Sequence, residues 1–132
     1  MGVGVILLDT NVLIDIDNFE FDPGEVHAAS VLSRAELEFG VRRAPRVADR
    51  EARRARLAQL DGRFAWLLFD LAASRGYGTV AAGAAGTGVR LRGKDALLAG
   101  QAYSLGCAIM TSNTADFAPF RKMVTIVEPT PR

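Results

Sequence analysis

Asp9, Glu36, Asp95 and Asp116 are the residues whose type and placement could do chemistry. Each stands where an apolar stretch ends or begins. Asp9 follows Val5-Ile6-Leu7-Leu8, Glu36 sits in Ala35-Glu36-Leu37, Asp95 opens Asp95-Ala96-Leu97-Leu98-Ala99, and Asp116 closes Thr111-Ser112-Asn113-Thr114-Ala115-Asp116-Phe117. Carboxylates brought together repel one another and rise in pKa unless a cation compensates. Hard oxygen ligands without Cys or His partners favour Mg²⁺ or Mn²⁺ over zinc. Such an ion polarises a phosphoryl oxygen and acidifies a bound water, which suits phosphodiester cleavage. The competing reading makes each acid a helix cap: Ser30 or Ser33 can cap the helix that follows, and Glu36 closes an S-x-x-E box.

The elements that must position these acids follow from the hydrophobic pattern. Val5–Leu8 is apolar throughout rather than alternating, as in a parallel strand covered on both faces. Further strands are expected at Val26–Ser30, Ala65–Phe69, Cys107–Thr111 and Val124–Val127. Helices are expected over Thr10–Asp17, from Ser33 to Val41, over Val47–Leu60, and from Asp95 to Leu105 with Gly106 as its cap. Asp70 is placed to cap another helix over Ala72–Gly88, although Gly76, Gly78, Gly83, Gly86 and Gly88 argue against its continuity. Alternating strands and helices predict an α/β fold with one parallel sheet. In such sheets ligands bind beyond the strand ends, where Asp9 would lie. Residues 1–132 read as a single domain with a core from about 5 to 127, and Pro129 and Pro131 mark a loose tail.

Composition narrows the class. The 132 residues are 49% hydrophobic and carry a formal charge of +1, so no global field announces a nucleic-acid protein. Eight arginines nevertheless crowd residues 42–63, opposed by Asp49, Glu51 and Asp61. With Ala48, Ala52 and Ala55 at helical spacing, that stretch predicts small residues packed beneath a basic face, either solvated or touching nucleic acid. The lone Cys107 excludes an internal disulfide and fits a reducing cytoplasm. His27 has no Cys or His near it and reads as structural. The N-terminal apolar run is too short to span a membrane and lacks a basic segment, so neither a signal peptide nor a membrane anchor is expected. No glycine-rich phosphate fingerprint or Walker lysine is present.

Taken in order, Leu8-Asp9-Thr10-Asn11-Val12-Leu13, Ala35-Glu36-Leu37 with Gly40-Val41, Asp95-Ala96-Leu97-Leu98-Ala99 and Thr111 to Phe117 resemble the PIN-domain ribonucleases. Within that family the chain looks most like the VapC toxins of bacterial toxin–antitoxin pairs, and the resemblance runs from about Val5 to Val127. It implies a PIN-like three-layer α/β/α fold of about five strands in the order 3-2-1-4-5. It further implies a metal-dependent endoribonuclease, commonly dimeric, silenced by a VapB-type antitoxin whose basic side chain enters the acidic cleft. Asp9 and Asp95 match direct metal ligands, and Glu36 and Asp116 match acids that act directly or through water. Thr10, Asn11 and Thr111 match polar support residues, as do Ser30 and Ser33 ahead of the glutamate. Other members carry their fourth acid at the position of Asn113.

Two departures accompany the resemblance. Only 26 residues separate Asp9 from Glu36, which predicts a reduced first helical hairpin. Arg92-Gly93-Lys94 precede Asp95, where members often carry another acid. Arg90, Arg92 and Lys94 are therefore candidate RNA contacts, the alternative being a basic stretch that only keeps the loop soluble. The rival readings are a PIN-domain RNA-processing nuclease outside a toxin system and a catalytically silent binding module.

Overall fold

A computed structural model describes residues 4–132. Its centre is a parallel sheet of β1 (Val5–Leu8), β3 (Val26–Ala29), β4 (Ala108–Met110) and β5 (Ile126–Val127), in the order β3-β1-β4-β5. The register places Leu8 beside Ala29 on one side and Met110 on the other. Asp9 thus leaves the sheet between its two central neighbours.

Successive strand residues point to opposite faces, and both faces are covered. Leu7 and Ile109 pack with Val80 and Ala84 of α4 (Leu71–Ala85), with Ala99 and Ala102 of α5 (Gly93–Leu105), and with Phe117 and Phe120. Ile6, Leu8 and Met110 pack on the other face with Val12 and Leu13 of α1 (Thr10–Ile14) and Leu60 of α3 (Val47–Arg63). Leu7 and Leu8 are each fully buried, which stabilises the fold by about 1.5–3 kcal/mol per side chain. The result is the three-layer α/β/α arrangement. Helix α2 (Val31–Arg43) follows β3 and carries Glu36.

Several expectations need correction. The strand expected at Ala65–Phe69 is a single parallel bridge between Ser30 and Leu67 on the outer side of β3. It occupies the outermost place in the expected order, but it has no room to extend, because Asp70 already caps α4 through the Ala73 amide. The first helix ends at Ile14, and a 3₁₀ turn occupies Ile16–Asn18. The strand expected at Val124–Val127 is limited to Ile126–Val127. The tail is not loose: β6 (Thr130–Pro131) pairs antiparallel with β2 (Phe19–Glu20), and the Arg132 amide donates to Asn18 O at 3.0 Å.

Helix α4 is continuous despite its glycines, and two of them, Gly76 and Gly83, serve packing. A Cβ on Gly76 would lie 2.2 Å from Gly100 O, and one on Gly100 would lie 2.4 Å from Tyr77 Cα. Two backbones in contact outweigh the propensity cost of about 1 kcal/mol per glycine.

On α3 the buried residues are Leu57 and Leu60, whereas Ala48, Ala52 and Ala55 are exposed. The small-residue stripe is therefore not the packing face. Several arginines are engaged within the protein: Arg46 with Asp49, Arg53 with Gly40 O, and Arg56 with Asp17.

Candidate active site and metal centre

The four acids arrive from four places in the fold. Asp9 links β1 to α1 and caps that helix, its Oδ1 accepting from the Thr10 amide at 2.8 Å. Glu36 projects from α2, and Asp95 lies in the first turn of α5. Asp116 belongs to the 3₁₀ segment Thr114–Phe120 beyond β4. All four line one cavity of about 260 Å³, with Thr10, Asn11, Ile14, Arg92 and Lys94 completing its wall.

Asp9 is held by a buried polar bracket. Thr111, fully buried at the end of β4, donates its hydroxyl to Asp9 Oδ2 at 2.9 Å. Asn11 Nδ2 reaches Asp9 Oδ2 at 3.3 Å and Thr111 Oγ1 at 3.2 Å. The Ser112 and Asn113 amides close the turn, donating to Asn11 Oδ1 and Thr111 Oγ1. The repeated pattern of apolar strand, polar turn and acid in the sequence corresponds to two adjacent strand ends joined by these bonds. Asn113 Nδ2 donates to Asp116 Oδ2 at 2.7 Å, which makes Asn113 a support for the acid that follows it.

Two cations enter the same cavity. Lys94 Nζ donates to Glu36 Oε2 at 2.9 Å, and Arg92 Nη1 to Asp116 Oδ2 at 3.3 Å. The first bond overturns the capping-box reading of Glu36. Of the two candidate caps, Ser30 caps α2, accepting from the Leu32 amide at 3.0 Å, and Ser33 Oγ is buried without a partner. Arg90 stands outside the acid cavity, in an adjoining groove.

The electrostatics suit a site that takes up positive charge. Burial raises the Asp9 carboxyl above the usual carboxylate range, against the hydrogen bonds from Thr111 and Thr10. Burial, reinforced by the charges of Asp9 and Asp116, pushes Asp95 up to about 6, while Arg92 and Lys94 pull it down. The Lys94 ammonium is raised, chiefly by its bond to Glu36. Among the described residues, no three Asp, Glu, His or Cys side chains form a group that could hold a metal ion as they stand. The donor set still suits a hard divalent ion: carboxylate oxygens only, plus the Thr10 hydroxyl, buried beside them without a partner.

His27 and Cys107 lie away from this cavity. The His27 ring meets Phe21 edge-on, and burial raises the Cys107 thiol, as befits structural residues. Ile14 in the cavity wall and Lys122 in the adjoining groove carry no signal in the sequence that marks them.

The profile of the family described as PIN domain matches residues 6–122. No protein of curated function matches the sequence. Among solved structures, the chain is similar to VapBC-5, a member of the VapBC family of toxin–antitoxin systems from Mycobacterium tuberculosis. The TM-score is 0.79 at 26% identity, over 96% of this chain and 98% of that one. VapBC2 from Rickettsia felis, bound to a promoter DNA fragment, aligns with TM-score 0.76 at 19% identity, over 95% and 98% of the two chains. FitAcB from Neisseria gonorrhoeae aligns with TM-score 0.76 at 23% identity, over 92% and 96%. The last two similarities speak for the fold alone.

Proposed function

This chain belongs to the PIN-domain family, a family of nucleases, and we propose that it is the toxic endoribonuclease of a VapBC-type toxin–antitoxin pair. The observation that carries the nuclease reading is the meeting of Asp9, Glu36, Asp95 and Asp116, distant in sequence, in one cavity. The VapBC-5 similarity supports the toxin assignment.

Asp9 and Asp95 would hold a Mg²⁺ or Mn²⁺ ion, with Glu36 and Asp116 completing the oxygen set directly or through water. When bound, the ion supplies Lewis-acid polarisation and a water more acidic than bulk. Thr111 and Asn11 keep the Asp9 carboxylate in one orientation, and Asn113 does the same for Asp116. Arg92 and Lys94 would meet the phosphates of the RNA at the mouth of the cavity.

A partner antitoxin fits the apolar groove of about 520 Å³ between Ile14, Leu37, Gly40 and Ala52, which also reaches Thr10 and Glu36. A segment seated there could direct a lysine or arginine at the acids and satisfy them as a cation would. A homodimer would find apolar surface at Leu32, Phe39 and Leu97, in a groove of about 490 Å³ between α2 and α5. No helix among the described residues is long and apolar enough to cross a membrane.

The test is RNA cleavage by purified protein in Mg²⁺ or Mn²⁺, with RNA ends mapped for wild type and Asp9→Asn side by side. Cleavage by the wild type and none by a folded Asp9→Asn supports the reading. A wild type that cuts no RNA with either ion leaves the binding-module alternative standing.

A further inference from the structure

A second groove, of about 430 Å³, adjoins the acid cavity and shares Arg92 and Asp116 with it. Arg90 and Lys122 add two more cations to its wall, and Val89, Ala118 and Pro119 supply apolar surface. The geometry points to this groove as the subsite for a nucleotide flanking the scissile phosphate of single-stranded RNA. That assignment rests on the nuclease reading of the acid cavity.

Charge availability selects this groove over its neighbour. Among the described residues, neither Arg90 nor Lys122 has a carboxylate partner within salt-bridge distance. Arg53 and Arg56, in the groove on the opposite side of the acids, are already committed. Arg53 donates to Gly40 O at 2.8 Å, and Arg56 to Asp17 at 2.9 Å and Gln59 at 3.0 Å. A phosphate entering that side meets an Arg56 already paired with Asp17 and an Arg53 already donating to Gly40 O, whereas one entering beside Arg90 and Lys122 meets two exposed cations with no such bonds among the described residues.

The mixed lining also suits a nucleotide. Val89 is 51% exposed and, with Ala118 and Pro119, offers apolar surface to the groove. An unstacked base can rest on such apolar surface while its phosphate meets the basic rim. Double-stranded RNA presents its bases stacked inside and gains nothing from that wall. Arg92 joins the two compartments: its bond to Asp116 sets the guanidinium between the acids and the groove. Adjacent phosphates of one strand could therefore lie on either side of it.

The test measures binding of a fluorescein-labelled single-stranded RNA to the metal-free protein across a salt series. Arg90→Ala and Lys122→Ala should each weaken binding about threefold to tenfold and flatten the slope of log K against log salt by about 0.7. Lys122→Arg should restore both. Val89→Ser should weaken binding with the slope unchanged, because it removes apolar contact and no charge. Arg54→Ala, an exposed arginine of α3, should leave the slope at the wild-type value. Under cleavage conditions, the Arg90 and Lys122 variants should raise KM with kcat within about twofold. An unchanged slope in both charge variants, or an equal change in Arg54→Ala, overturns the subsite. A wild type that binds no RNA overturns the nuclease reading as well.

Discussion

Lys94 Nζ lies 2.9 Å from Glu36 Oε2, across 58 residues of sequence, with its ammonium in the cavity that Asp9 and Asp95 also line. The side chain is one residue before an acid read as a metal ligand, yet it neutralises another. An ammonium on Glu36 and a divalent ion drawing on Glu36 compete for the same oxygen.

Replacing Lys94 should therefore tighten metal binding. An exposed ion pair contributes only about 0.2–1 kcal/mol, so Lys94→Met should lower the Kd for Mn²⁺ by roughly twofold to fivefold. Electron paramagnetic resonance of free Mn²⁺ measures this without any RNA. In a Glu36→Gln background the same change should have little effect. Equal tightening in both backgrounds would mean that Lys94 acts only through the general field.

Asp9→Asn should abolish cleavage without loss of fold. Asparagine caps helices as well as aspartate does, so the bond to the Thr10 amide survives. Burial already disfavours the charged form of Asp9, and the neutral amide escapes that cost. The melting temperature should stay within a few degrees of wild type or rise, while the cleavage rate falls by about two orders of magnitude or more. A large fall in melting temperature would show that Asp9 is chiefly structural.

Metal should stabilise the protein more at neutral than at acid pH. Asp95 has its folded pKa raised to about 6, above the unfolded value of about 3.9. The stability this group contributes is fully present below the unfolded value and is lost as pH rises through 6. Between about pH 4 and 6 the metal-free protein should weaken on this account, and bound metal should restore it. Thermal melts with and without Mg²⁺ should separate more at pH 7.5 than at pH 5. The opposite ordering would contradict both the shift and the metal assignment.

Gly100→Ala should be among the most damaging single-methyl additions available. Its Cβ would sit 2.4–2.5 Å from the Tyr77 backbone, and backbone cannot rotate away. Overpacking of this kind costs about 1–3 kcal/mol or more. Gly78, beside Tyr77 in α4, meets nothing within 4 Å, so Gly78→Ala should stabilise by about 0.5–1 kcal/mol. Denaturant titration of the two variants tests whether α4 and α5 touch through their glycines.

Thr111→Val keeps the shape of a buried side chain and deletes the hydroxyl that donates to Asp9. Groups that orient metal ligands typically matter by 10–100-fold in metal affinity or activity. Mn²⁺ affinity should fall by at least about tenfold, and Thr111→Ser should recover most of it. Failure of the serine variant to recover would point to packing as the cause.

Much of the fold and half of the site are local in origin and could be read directly. Val5–Leu8 is apolar on both faces because both faces are covered, and Asp9 ends that strand whatever the rest does. The same logic located Asp116 beyond β4 and Asp70 at the start of α4. Reading failed where tertiary contact overrides local preference. Gly76, which opposes a helix by propensity, instead lets α4 meet Gly100 of α5, and the alanines of α3 face solvent because Leu57 and Leu60 supply its contact. The spacing of Ser33 and Glu36 suggested a cap, but Glu36 turns to Lys94.

The amino-acid sequence by itself determined the chemistry on offer: four oxygen acids at the ends of elements, and no sulfur or imidazole cluster to compete. Only the tertiary structure decided which charges share a cavity. Parallel strands deliver Asp9 and Asp116 to the same edge, and helix packing brings Glu36 and Asp95 alongside. Electrostatic attraction then draws in Lys94 and Arg92 and leaves Arg90 and Lys122 exposed. Pairings of that kind depend on distances in space between residues far apart in the chain, and no local pattern encodes them.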